Sequence, residues 1–324
     1  MINAAIVGLG RWGKVLVEAV SGKSERLRFT VGVSRDPSRH GEFAGAHGLR
    51  LVDRLETALK DPSLEAVVLA TPHSQHAEEI IAAAGAGKAV FCEKPLSLTA
   101  AEAARAIAAC ERAAIVLGIG HDKRFFPSMQ ELFRVVKSGE LGPLLHLEGQ
   151  FSNELTAELA SPWRYTREEA PAGGLTQTGV HILDSFVHIG GPVRRLVARV
   201  LSHRPPPDAL DSLSVMLEFS SGISGLLAAV RSTPFFWRVH VFGRNGSAEA
   251  LGQNEIVLRR PRSAPERLSF PPSNSMRANL EAFAGAVEGR APYPVPHEEM
   301  LATLAAFEAI VKAVDSGVFE KASP

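Results

Sequence analysis

The sequence predicts a doubly wound, parallel α/β domain followed by an α+β domain built on a mostly antiparallel, open sheet. Three observations carry that expectation. The chain opens on a short apolar run that ends in a glycine-rich turn and continues as a helix. Apolar strand-like runs then alternate with helical segments as far as about residue 122, the pattern of a parallel sheet covered by helices. Beyond about Lys123, long alternating runs punctuated by hairpin-turn signals replace that pattern.

Composition narrows the possibilities. A chain of 324 residues suits two domains, placed at 1–122 and 123–324. It is 45% hydrophobic and 22% charged, enough apolar content for a sizeable core. Lys plus Arg balance Asp plus Glu at 35 each, so no overall field attracts nucleic acid or an anionic membrane. Cys92 and Cys110 have neither disulfide-framework nor metal-ligand spacing, and read as reduced core residues of a cytosolic protein. The histidines are scattered without the pairing of a zinc site, so no metal is expected. The opening residues show no signal-peptide pattern, and no apolar run approaches the ~20 residues of a membrane span. A cytoplasmic location is therefore expected.

Taken in order, the first element is a strand ending at Val7, and Gly8, Gly10 and Gly13 follow in a G-x-G-x-x-G pattern that opens a helix. The first glycine permits the sharp turn, the second lets a pyrophosphate approach the backbone, and the third allows close helix–strand packing. Free N–H groups at the helix start then face an anion. Gly8, Gly10, Arg11, Trp12 and Gly13 are thus candidates for binding a dinucleotide. Leu27 to Ser34 reads as the second strand. About 20 residues past the glycines, an Asp or Glu would accept from an adenosine ribose 2′-OH. Ser34 and Arg35 stand there instead, a hydroxyl and a guanidinium that suit a 2′-phosphate and favour NADP over NAD. The other reading is that Arg35 is solvated and Asp36 serves the ribose.

Strands are next expected at Leu51–Val52, Ala66–Ala70, Ala89–Cys92 and Ile115–Ile119. Helices are expected at Leu55–Lys60, Gln75–Ala86 and Thr99–Ala113, the last with Thr99 and Glu102 spaced as a capping box. Ligands of such sheets sit outside the carboxyl ends of the strands. This singles out Ser34, the Thr71–His76 stretch, Glu93–Pro95 and the His121–Arg124 stretch. In the second region, a helix at Pro127–Lys137 precedes strands at Leu144–Phe151, Leu196–Leu201, Ser212–Phe219, Ile223–Val230, Arg238–Gly243 and Glu255–Arg260. Helices at Met276–Glu288 and Glu298–Val314 close the chain.

Gln177, His181, Asp184 and His188 are spaced to share one helical face, a polar stripe that faces a wet cleft. Lys94 follows a strand, where an ammonium can donate to a substrate oxygen and offset developing alkoxide charge; the other reading is a surface pair with Glu93. Trp163, Arg164 and Tyr165 form an aromatic–cation cluster that suits a sugar ring or carboxylate, or else packing between domains.

These motifs in this order resemble the Gfo/Idh/MocA dehydrogenases. The likeness rests on Gly8–Gly13, Thr71–His76, Glu93-Lys94-Pro95, Gly118–Phe125, Gly139–Gly142, Gly173-Gly174 and Gly179–Asp184. It implies a Rossmann domain and an NAD(P)-dependent hydride transfer to or from a sugar, cyclitol or related polyol. By the same resemblance Lys94 and His181 handle the substrate proton and converge on one cleft, and Asp184 and Gln177 orient substrate. Trp163, Arg164, His121 and Arg124 join the substrate set. Thr71, Pro72, His73, His76 and Glu93 line the cofactor, with a structural role for His76 as the other reading. Many members carry Asp where this chain has Gln177, and an amide orients an imidazole without offsetting its charge. Two rival readings therefore stand: a non-catalytic dinucleotide- and ligand-binding regulator, and a redox-neutral, NAD-retaining glycosidase-type enzyme. Apolar residues on both faces of the strands between Leu213 and Val230 predict an exposed sheet face and a homodimer or homotetramer.

Overall fold

The computed structural model describes residues 1–153, 163, 166–202, 211–231 and 233–316. The chain divides at Asp122/Lys123 into two units, but not into two continuous segments. Residues Asn274–His297 return to the first unit, and 298 onward belong to the second. The expected domain 123–324 is corrected on that point.

In the first unit, strands β1 (Ile2–Val7), β2 (Leu27–Val33), β3 (Arg50–Val52), β4 (Ala66–Leu69), β5 (Ala89–Cys92) and β6 (Leu117–Ile119) form one sheet of order β3-β2-β1-β4-β5-β6. Every pairing is parallel. The central strands are fully buried, which is why Ala66–Leu69 and Ala89–Cys92 read as unbroken apolar runs rather than alternating ones. Helices α1 (Arg11–Val20), α2 (Gly41–His47), α3 (Leu55–Leu59), α4 (His76–Gly85) and α5 (Ala100–Arg112) connect them. The Thr99 hydroxyl accepts from the Glu102 N–H and caps α5, a bond worth about 1 kcal/mol. Leu280, Phe283 and Ala284 of a late helix (Ser275–Val287) are buried in this unit's core, and Phe283 meets Phe91 edge-on at 5.6 Å. That burial returns the segment to the first unit.

The second unit holds α6 (Pro127–Ser138), β7 (Leu144–Asn153), α7 (Val180–Gly190), β8 (Val193–Ser202), β9 (Asp211–Phe219), β10 (Ser224–Arg231), β11 (Phe236–Gly243), β12 (Gly246–Leu251), β13 (Glu255–Arg259) and β14 (Glu266–Ser269). Its sheet has the order β14-β13-β12-β11-β7-β10-β9-β8. Only β7 and β10 run parallel; the other pairs are antiparallel. One face carries α7. A Cβ at Gly149 would lie 2.4 Å from Ile182 Cγ2 and 2.9 Å from the Phe186 ring, so the helix rests on the sheet where β7 has no side chain. The late helix of the first unit is α8 (Ser275–Val287), and α9 (His297–Ser316) closes the described chain.

Candidate active site

The glycine turn has the form that the sequence predicts. Gly8 adopts φ +92°, and a Cβ there would lie 2.7 Å from the Ala70 carbonyl oxygen. At Gly13 a Cβ would lie 1.9 Å from the Gly8 oxygen, so α1 starts against the turn. Gly10, by contrast, faces open space. It caps α1 with no side-chain hydrogen bond, and the helix has no acidic residue in its first turn. Uncapped N–H groups, a positive helix end and a backbone open to approach fit a pyrophosphate. Arg11 is exposed beside the turn and Trp12 is half-buried against the core.

Ser34 follows β2, its hydroxyl accepting from the Asp36 N–H at 3.4 Å. Asp36 in turn accepts from the Ser38 hydroxyl at 2.6 Å. Arg35 and Arg39 are exposed. The His40 pKa is lowered by burial and by the charges of Lys14 and Arg39, so cations gather where the ribose end of a dinucleotide falls.

Thr71 and Pro72 follow β4, the Thr71 backbone abuts Gly8, and His73 is buried beyond them. His76 opens α4. It is fully buried, with Nδ1 at 2.8 Å from the Pro95 carbonyl oxygen and Nε2 at 3.1 Å from that of Thr71. Glu79, which sequence reasoning passed over, accepts from the Thr71 hydroxyl at 2.5 Å. Burial pushes its carboxyl up to about 7, against the pull of the Thr71 hydrogen bond.

Glu93 and Lys94 follow β5, and the Lys94–Pro95 peptide is cis. Lys94 is half-buried; the Glu93 carboxyl is enclosed, lying over Gly120, where a Cβ would come within 2.6–2.7 Å of its three atoms. Enclosure pushes the Glu93 pKa up to about 7. The Trp12 indole N–H, which approaches without closing an ordinary hydrogen bond, and the Lys94 ammonium pull it down, while Asp122 pushes it up. Asp122, within the singled-out His121–Arg124 stretch, accepts from the Ser275 hydroxyl at 2.9 Å. His121 is buried next to it. At the end of β6, Asn279 Nδ2 and Tyr293 Oη meet the Ile119 carbonyl oxygen at 2.9 and 2.8 Å, which fixes where this stretch leaves the sheet. The first unit thus gathers Gly8–Gly13, Ser34, Arg35, Thr71–His73, Glu93 and Lys94 at the carboxyl edge of its sheet.

In the second unit the expected polar stripe divides. Residues Leu175–Gly179 form a π turn, so Gln177 is buried one turn before the regular helix that begins at Val180. His181 is buried with its ring edge-on to Phe151 at 5.9 Å. Phe151 also meets Phe235 and Trp237, at 5.9 and 5.4 Å. Asp184 and Arg124, both expected in the substrate set, form an enclosed ion pair. Both Asp184 oxygens accept from the Arg124 guanidinium at 2.7 Å, with side chains 1% and 4% exposed. Arg124 also reaches Glu299 at 2.7 Å, and Glu299 lies 3.0 Å from His188 Nδ1. Burial raises the Glu299 pKa, but the His188 hydrogen bond and the Arg124 charge bring it below the usual carboxylate range. Trp163 is half-buried, its carbonyl accepting from the Thr166 N–H at 3.2 Å. Arg164 and Tyr165 lie outside the described residues. Arg231, buried on β10 beside Gly174, went unnoticed because a lone Arg ending an apolar strand carries no motif.

Residues 2–121 match the profile of an oxidoreductase family with an NAD-binding Rossmann fold, and residues 129–249 match the GFO/IDH/MocA C-terminal domain. The chain belongs to the Gfo/Idh/MocA oxidoreductases. As a member it is a dehydrogenase or reductase with an NAD(P)-binding Rossmann domain. It is 27% identical to inositol 2-dehydrogenase of Rhizobium meliloti, over 97% of each chain. It is 28% identical to bovine (Bos taurus) trans-1,2-dihydrobenzene-1,2-diol dehydrogenase, over 74% of each. The crystal structure of aldose-aldose oxidoreductase from Caulobacter crescentus, complexed with glycerol, superposes with a TM-score of 0.86 at 25% identity, covering 99% of each chain. Among the described residues, no helix is long and apolar enough to cross a membrane, and no three His, Cys, Asp or Glu are grouped to hold a metal ion.

Proposed function

We propose that the protein transfers a hydride between a nicotinamide dinucleotide, NADP in preference to NAD, and a carbon bearing a hydroxyl or carbonyl in a sugar, cyclitol or related polyol. The observation that carries this reading is Lys94, a half-buried ammonium at the carboxyl end of β5, on the strand edge that also bears the glycine turn. The bound dinucleotide would supply the hydride acceptor or donor, held by the Gly8–Gly13 turn and by Thr71 and Pro72. The chain's own contribution is proton handling. Lys94 donates to the carbinol oxygen, and the enclosed Glu93 beside it adjusts how readily the ammonium gives up its proton. His181 is the acid–base candidate of the second unit. The polyol class is supported by the named substrates of the relatives, an inositol and a dihydrodiol.

Lys94→Met removes the proton donor and leaves the dinucleotide turn untouched. Its kcat should fall by ~10²–10⁴ while cofactor affinity, read by NADPH fluorescence, stays within a few-fold. Full turnover in this variant, with a substrate found by screening polyols and keto-sugars with both cofactors, would overturn the reading. The cofactor preference has its own test. Arg35→Ala should weaken NADP binding by about tenfold and NAD binding far less, because only NADP offers the 2′-phosphate a charge-assisted bond. Equal losses for the two would remove Arg35 from the cofactor site.

A further inference from the structure

His76 opens α4 with no exposure to water, and each of its ring nitrogens faces a backbone carbonyl oxygen: Pro95 at 2.8 Å and Thr71 at 3.1 Å. A neutral imidazole has one N–H and one lone pair. With two carbonyls as partners, the neutral ring directs its lone pair at an oxygen; only the doubly protonated ring donates to both. We propose that His76 is a positioning residue, held as an imidazolium, that ties the Thr71 turn to the Pro95 turn and thereby sets where Lys94 stands.

The two carbonyls belong to the two turns that matter most under the functional reading above, on which the positional half of this inference rests. Thr71 packs against Gly8 of the dinucleotide turn, and Pro95 is the residue after Lys94. One ring therefore braces the cofactor side and the proton-donor side against each other.

Burial and the positive end of α4 both disfavour a cation at this position. A compensating group stands one turn further along the helix. Glu79 is the i+3 neighbour of His76, and both side chains hold Thr71, one by its carbonyl and the other by its hydroxyl. The remaining titratable groups on the surrounding elements are Glu78 of α4, Glu56 of α3, Glu102, Arg105, Cys110, Glu111 and Arg112 of α5, Cys92, Glu93 and Lys94 at the end of β5, and His73, edge-on at 5.7 Å. Arg105 is engaged by Glu78 at the surface, at 2.6 Å. Glu79 is thus placed to carry the charge that balances the ring, and the site holds one proton to be set on one group or the other. On Glu79 it would leave an imidazole lone pair against a carbonyl oxygen; on His76 it completes both hydrogen bonds and leaves an anion to balance the ring.

Long-range ¹H–¹⁵N NMR of the ¹⁵N-labelled full chain at pH 8 tests the protonation directly. Solvated histidines are neutral at that pH, so one ring should retain both N–H protons and the matching pair of imidazolium nitrogen shifts. A wild-type spectrum in which every ring is neutral overturns the inference, with no variant or turnover needed. In His76→Gln, which cannot donate to both turns, the doubly protonated ring should vanish and kcat should fall by up to ~10²-fold, the scale of a misplaced reacting group. A folded His76→Gln with unchanged kcat and KM overturns the positioning role. If wild-type protein carries the imidazolium yet turns over nothing, the functional reading fails and the protonation stands.

Discussion

A carboxyl group shut away from water holds its proton to higher pH, and Glu93 does so without a full ion pair to reverse the effect. Its folded pKa is raised from 4.5 to about 7, so its contribution to stability is complete below about pH 4.5 and is lost as the pH rises through about 7. Glu93→Gln keeps the shape and removes the titration. Thermal unfolding followed from pH 5 to 8 should show the wild type losing of the order of 1–3 kcal/mol relative to this variant. A difference that does not change with pH would mean that the carboxyl is solvated. Asp184 poses the opposite case, a buried carboxylate with its charge matched. Asp184→Ala leaves Arg124 enclosed with only Glu299 to answer it, and breaking such a pair costs about 3–5 kcal/mol. A large loss of stability in this variant, measured by denaturant unfolding, separates an internal brace from a substrate contact. An unchanged midpoint would favour the substrate role. Of the candidate residues, the dinucleotide set was legible because its glycines are needed for backbone reasons that show in spacing alone. The pairing of Asp184 with Arg124 was not legible, because sixty positions separate two residues whose types suit a substrate equally well.

The strands of the first unit were readable because parallel strands buried on both faces are unbroken apolar runs, and the turns after them carry Gly, Thr-Pro or Lys-Pro. Three elements escaped for particular reasons. Helix α2, Gly-Glu-Phe-Ala-Gly-Ala-His, has two glycines in seven residues and ends in the left-handed Gly48, so its helical signal is weak. Strand β12, Gly-Ser-Ala-Glu-Ala-Leu, has no β-branched or aromatic residue and is buried by its neighbours. Strand β14 is polar and mostly exposed at the sheet edge. Helix α8 was recognised, but amphipathic spacing says that a helix has an apolar face without saying which core receives it. The seat of α7 on β7 shows the same limit, since Gly149 looks like an interruption in a strand and proves to be the contact point. Gly149→Ala would drive a methyl into Ile182 and Phe186, costing about 1–3 kcal/mol. Chemical denaturation should show the lower midpoint, and an unshifted curve would mean that α7 is not packed as described.

Among the described residues, the second unit's sheet has a face without helices, and its side chains follow the strand registers. One rung runs Val197, Met216, Leu226, Glu148, His240 across β8, β9, β10, β7 and β11. The next runs Arg199, Ser214, Ala228, Gln150, Arg238. All of these but His240 line a trough of about 450 Å³. Met216 and Leu226 are 46% and 47% exposed, side by side, with the Glu148–Arg238 ion pair at 2.9 Å toward β11 and the Arg195–Glu218 pair at 2.6 Å on the neighbouring rung. An apolar centre rimmed by charges already paired within the chain is a patch that a two-fold rotation can set upon itself. We propose that a second copy of this chain covers the face, giving the homodimer or homotetramer expected from the strand pattern. The sheet does not need these two side chains for its own core, because Leu217 and Leu227 fill the opposite side. Met216→Asp combined with Leu226→Glu should therefore leave the unfolding midpoint nearly unchanged while abolishing apolar contacts worth about 1.5–3 kcal/mol per side chain. Because each contact occurs twice across a two-fold, the dissociation constant should rise by several orders of magnitude. Light scattering at micromolar concentration should then report a multiple of 34.7 kDa for the wild type and a smaller species for the variant. A wild type that scatters as a single chain under those conditions would leave the face with some other occupant.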